Sequence, residues 1–169
     1  MIDDLKKIIA KLEGVVIAVT VDDEVKKALS FNKKITEIYT LEKTKTFGNM
    51  KHERKPVNLR KVKKKFKNKT DYILVDINGV NIDLNKIVNN TYLMTKKKII
   101  YFGIYDEYDV DRLAKKYERY NAKCDKTMYG DSFILEVNMK NLKLKNTFIN
   151  LIIDLFVDII DIIGNLLLS

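Results

Sequence analysis

The chain has 169 residues, of which 46% are hydrophobic and 33% charged, proportions that suit one ordinary globular domain and exclude a disordered or fibrous chain. A lone cysteine, Cys124, excludes an internal disulfide and a cysteine-held zinc ion, and it suits a reducing, cytoplasmic setting. The net charge of +9 is local: residues 33–69 carry +11, whereas 1–32 carry −1, 70–145 carry +2 and 146–169 carry −3.

In chain order, Ile2, Leu5, Ile8, Ile9 and Leu12 recur at helical spacing, and Gly14 is placed to end that helix. The start lacks the basic and apolar runs of a signal peptide. Val15 to Val19 is a continuous apolar run, as in a strand buried on both faces. Val21, Val25, Ala28 and Leu29 give a helix over 21–31, with Asp22, Asp23 and Glu24 at the positive end of its dipole. A second strand is expected over 34–41, which completes half of a parallel βαβ layout. Residues 43–56, with Gly48 and Pro56, read as a loop. Leu59, Val62 and Phe66 mark one side of a short, very basic helix over 57–66.

Asp71 to Asp76 is the clearest strand, and Asn78-Gly79 makes its exit turn. Val80, Ile82, Leu84, Ile87 and Val88 supply the next helix face. Ile99 to Ile104 reads as another buried strand, and 109–120 as an amphipathic helix. A weak strand near 122–126, a turn over 129–131 and a strong strand over 132–137 form a hairpin at one sheet edge.

The last segment differs in kind. From Phe148 to Leu168 only Asn150, Asp154, Asp158, Asp161, Gly164 and Asn165 are not apolar, so a long apolar helix with one narrow polar stripe is expected. Its length suits a membrane span of ~20 residues. Three aspartates near the middle, at about 2.5–3.5 kcal/mol each, argue against a transmembrane segment. The division is therefore a Rossmann-like α/β domain over 1–145 and a helix over 146–169 that docks on the body or forms a homodimer.

Open parallel sheets bind ligands outside the carboxyl ends of their strands. The residues there are Thr20 and Asp22, Glu42, Asp76 and Asn78, and Tyr105 and Asp106. Each is a candidate for cofactor binding, and the aspartates are equally candidates for helix caps. A pyrophosphate at a helix N-terminus needs bare backbone amides, so Asp22-Asp23-Glu24 disfavours ordinary dinucleotide binding. No phosphate-loop or zinc-protease motif occurs, and no metal is expected. His52, the only histidine, lies in a charged loop. Catalytic residues are not assigned. The basic stretch, including Lys51, Arg54, Lys55, Arg60, Lys63 and Lys64, is either a solvated face or a surface for nucleic-acid phosphates.

Successive strand–helix units closed by an antiparallel hairpin resemble class I S-adenosylmethionine-dependent methyltransferases over roughly residues 13–140. The resemblance implies a mostly parallel sheet and S-adenosylmethionine bound at its carboxyl edge, with Glu42 in the place of the acid that holds the ribose. One usual strand, between the second and Asp71–Asp76, is short or absent. The glycine-rich turn after the first strand is replaced by Val19-Thr20-Val21-Asp22-Asp23-Glu24, which implies a degenerate member. Val75-Asp76-Ile77-Asn78-Gly79 and the strand from Gly130 to Val137 are also similar to the iron-guanylylpyridinol cofactor methyltransferase of methanogens.

Overall fold

A computed structural model of the chain describes residues 1–20, 22–40, 43–47, 51–55, 59–66, 69–80, 84–92 and 94–139. Helix α1 (Ile2–Ile9) leads to strand β1 (Gly14–Val19), helix α2 (Asp23–Phe31) and strand β2 (Ile35–Thr40). Strands β3 (Lys43–Phe47) and β4 (Lys51–Lys55) precede helix α3 (Leu59–Phe66), strand β5 (Thr70–Asp76) and helix α4 (Leu84–Thr91). Strand β6 (Thr95–Ile104), helix α5 (Glu107–Glu118) and strands β7 (Lys123–Tyr129) and β8 (Ser132–Asn138) follow.

Six strands form one sheet in the order β2-β1-β5-β6-β8-β7. The first four run parallel, and β8 lies antiparallel between β6 and β7. This is the expected α/β class with a mostly parallel sheet and a closing hairpin. The apolar runs of β1, β5 and β6 alternate between two covered faces. On one face Val16, Ala18, Leu74 and Ile100 pack with Leu5 and Ile9 of α1 and Val25 and Leu29 of α2. On the other, Ile17, Ile73, Val75 and Ile99 pack with α3, α4 and α5 through Leu59, Ile87, Leu113 and Tyr117.

That second layer also buries three hydroxyls. Thr91 donates to the Ile87 carbonyl (2.8 Å) and shares hydrogen bonds with Tyr101 (2.6 Å) and Tyr117, whose own hydroxyls meet. Loss of hydration pushes the pKa of both phenols well above the ordinary tyrosine value. The cluster satisfies polar groups that would otherwise be costly inside a core.

Several boundaries differ from expectation for identifiable reasons. The 43–56 stretch is not a simple loop: β3 and β4 pair antiparallel, with Thr46 opposite His52. Alternation of Lys with Thr satisfies strand geometry without the apolar period that marks a buried strand. Strand β6 starts at Thr95, because the polar Thr95–Lys98 stretch still pairs with β5. Helix α4 starts at Leu84 rather than Val80, and α5 starts at Glu107 behind its cap Asp106. The expected long apolar C-terminal helix lies outside the described residues. Among those residues, no helix is long and apolar enough to cross a membrane.

Helix α1 stops at Ile9, yet Leu12 remains in the core. Asn32, which ends α2, donates through Nδ2 to the carbonyls of Ile9 (2.7 Å) and Leu12 (2.9 Å), tying both helix ends at the amino edge of the sheet. Gly14 opens β1 rather than ending α1. Its φ is +78°, and a Cβ there would lie on the Asp71 carboxylate. Asp71 accepts the Val15 N–H (3.0 Å) and pairs with Lys97 (3.3 Å).

Gly14→Ala should therefore lower the urea midpoint by the equivalent of about 1–2 kcal/mol from backbone conformation alone, with more lost as Asp71 is displaced. The Val15 N–H, followed by Lys97, holds the Asp71 carboxyl below the usual aspartate value. A lowered folded pKa adds stability above the unfolded value and loses it as pH falls through the folded one. Replacing Asp71 with Asn should flatten the acid side of the stability profile below about pH 4, as read by chemical denaturation at stepped pH.

Candidate functional site

The carboxyl ends of β1, β5 and β6 lie side by side because these strands are parallel neighbours. Thr20, fully buried just beyond β1, donates its hydroxyl to Asp76 Oδ2 (3.2 Å) at the end of β5. Asp76 is itself buried and accepts the Asn78 N–H through Oδ1 (3.0 Å). The Asn78 amide then crosses to β6, accepting the Ile104 N–H (2.7 Å) and donating to the Ile104 carbonyl (3.3 Å). Thr20, Asp76 and Asn78 thus form one polar chain across three strand ends.

Gly103 makes that crossing possible. Its φ is +140°, and a Cβ there would stand 2.5 Å from Asn78 Oδ1. The signal in the sequence was a glycine inside an otherwise apolar strand, which often marks a close approach. Its partner, Asn78, 25 positions earlier, was marked only by its place at a strand end, with nothing to link it to Gly103.

The other expected residues divide. Asp22 caps α2, accepting the N–H groups of Glu24 (2.8 Å) and Val25 (3.1 Å), and its own N–H donates to Thr20 Oγ1 (3.0 Å). Asp106 caps α5 by accepting the Asp109 N–H (2.9 Å). Tyr105 packs its partly buried ring on the core, and its N–H donates to the Asp131 carbonyl (3.0 Å). Glu42 lies outside the described residues. Ile104 and Tyr108 are exposed beside this edge.

The basic set falls on two elements, with Lys51, Arg54 and Lys55 in β4 and Arg60, Lys63 and Lys64 in α3. Lys64 is exposed. Lys63 instead turns onto α4: its ammonium donates to the Asn89 carbonyl and sits 5.5 Å from the Tyr92 ring centre. Burial pushes the Cys124 thiol up to about 12, with Glu118 and Asp125 adding to the shift, so it is poorly suited to act as a nucleophile near neutral pH. Among the described residues, no group of three or more His, Cys, Asp or Glu side chains is placed to hold a metal ion.

No protein-family model matches the chain, and no curated protein matches it in sequence. Its fold is similar to that of an O-methyltransferase family protein from Burkholderia thailandensis, with a TM-score of 0.53 and 7% identity over 80% of this chain and 55% of that one. A candidate RNA methyltransferase from Pyrococcus horikoshii superposes more loosely, at a TM-score of 0.41 and 8% identity over 80% of each chain. The fold is methyltransferase-like, and the chain spans about half the length of the O-methyltransferase family protein. Nothing in these likenesses supports the narrower resemblance to the iron-guanylylpyridinol enzyme.

Asn78→Ala should cost about 0.5–1.5 kcal/mol, the net worth of hydrogen bonds to Ile104 that water can partly replace at this exposed edge. Gly103→Ala should cost more, because its φ of +140° strains any side chain and its Cβ also meets the same amide; only the second part depends on Asn78. In the double variant the two losses should fall well short of their sum. Additive urea midpoints would show that the two positions do not act through one contact.

Proposed function

We propose that the domain is a degenerate methyltransferase-like module that binds an adenosine-containing ligand at the carboxyl edge of β1, β5 and β6. The observation that carries this reading is the polar chain from Thr20 through Asp76 to Asn78, set at the edge where open α/β sheets take ligands. S-adenosylmethionine fits this edge in part. Its sulfonium, amino and ribose hydroxyl groups suit an acidic setting that includes Asp76 and, by its place in the sequence, Glu42. Its carboxylate suits the edge poorly, because Asp22 already occupies the first N–H groups of α2 with a negative charge. When bound, the cofactor would supply an activated methyl group; no side chain is assigned to move it.

The nucleic-acid reading is weaker. Clustered charge favours it, but Lys63 is committed to α4, and stacking aromatics are few near the basic stretch.

Titration calorimetry of the full chain tests the ligand class. 5′-Methylthioadenosine, which lacks the amino-acid carboxylate, should bind at least as tightly as S-adenosylhomocysteine. Asp22→Asn keeps the cap and removes the charge, so it should tighten S-adenosylhomocysteine alone. Absence of heat with methylthioadenosine, S-adenosylmethionine and S-adenosylhomocysteine would overturn the proposal.

A further inference from the structure

The two faces of the sheet are unequally covered. Among the described residues, α3, α4 and α5 pack on one face and only α1 and α2 on the other. The thinner layer ends in exposed apolar surface. Phe31, the last residue of α2, is 73% exposed, and Ile38 on the adjoining β2 is 37% exposed. Ile38 is the register partner of Val16, so it lies on the α1/α2 side of the sheet.

Between the two helices, Ala10, Ala28 and Phe31 line an open groove. Among the described residues its rim carries Lys27, Lys33 and Lys34, with Lys6 paired to Glu24 (2.6 Å). An apolar floor with a cationic rim suits an apolar segment that carries carboxylates. The chain holds one such sequence. Residues 148–168 lie outside the described residues; their sequence has no Lys or Arg and has three acids, Asp154, Asp158 and Asp161. Spacings of four and three would set these acids on one stripe of a helix.

We infer that segment 148–168 docks on the α1/α2 groove of its own chain, with its aspartates beside the lysine rim. The path permits it. Strand β8 ends at Asn138, opposite Lys98 in the first half of β6, and Met139 donates its N–H to the Lys97 carbonyl (2.8 Å). The described chain therefore stops at the amino edge of the sheet. The groove opens at that edge too, because Asn32 ties the ends of α1 and α2 there. From β8 to β2 is four strand spacings, about 19 Å. The intervening residues 140–147 can span up to about 28 Å. The docked segment would supply the third element on the thinner face of the sheet.

Zero-length cross-linking of the full chain tests this. A carbodiimide joins a lysine amine to an aspartate carboxylate as an amide, taking up the lost water as its urea. The reaction is run on an equal mixture of unlabelled and heavy-nitrogen-labelled protein, and cross-linked peptides are read by mass spectrometry. The expected result is same-isotope links from Lys27, Lys33 or Lys34 to Asp154, Asp158 or Asp161. Phe31→Asp, at an exposed position, should leave the circular dichroism spectrum unchanged and reduce those links several-fold. Mixed-isotope links near half of the total, the share that random pairing of two copies gives, would make a second copy the occupant and overturn the same-chain assignment. Links from these aspartates only to lysines elsewhere, or yields unmoved by the Phe31 variant, would overturn the groove itself.

Discussion

A parallel strand buried in a sheet must be covered on both sides, and that constraint organises this protein. Val16 to Val19, Ile73 to Val75 and Ile99 to Phe102 are buried whichever way their side chains alternate. Each crossover must then return on one face or the other, carrying an apolar stripe with it. Helices α1 and α2 meet this demand on one side and α3, α4 and α5 on the other. Among the described residues, the cover on the first side runs out at β2, where Phe31 and Ile38 stay exposed.

The same parallel arrangement gathers the polar residues. Thr20 is 56 positions from Asp76 and Asn78 is 26 from Ile104, yet they meet at one edge, where the apolar runs end together. Asn78 is the hinge of the set because its amide replaces a backbone pairing partner for Ile104. Capping then divides the acids into two kinds. Asp22 and Asp106 hold helix N-termini, whereas Asp76 joins strands. Only the second kind brings its carboxylate into the polar chain; Asp22 joins it through its backbone N–H alone.

Much of this was legible in the amino-acid order. The runs at β1, β5, β6 and β8 were readable because burial on both faces leaves a continuous apolar stretch at the centre of each strand. The helical stripes were readable for the complementary reason. What escaped has a common cause: contacts set by distant partners leave no local period. Lys-Thr alternation hid β3, and the lysines at 96–98 hid the first half of β6. Gly103 carried a visible anomaly, but only the fold shows that the Asn78 amide fills its place. Lys63 looked like any other cation of a basic helix until its turn toward Asn89 was seen. Thr20, Asp76 and Asn78 were found by the rule of strand ends, which depends on topology more than on motif.

The buried hydroxyls of Thr91, Tyr101 and Tyr117 have a spectroscopic consequence. The chain has nine tyrosines and no tryptophan, so its near-ultraviolet absorption is almost wholly phenolic. A free phenol ionises near a pH of about 10, and its phenolate absorbs more strongly and at longer wavelength. Tyr101 and Tyr117 keep their protons while folded, since burial raises both. Above the ordinary value, each added unit of pH favours the unfolded chain, where those two protons are lost. The interior pair is thus an intrinsic reporter: its absorbance appears only when the α4–β6–α5 layer opens, with no dye or label added.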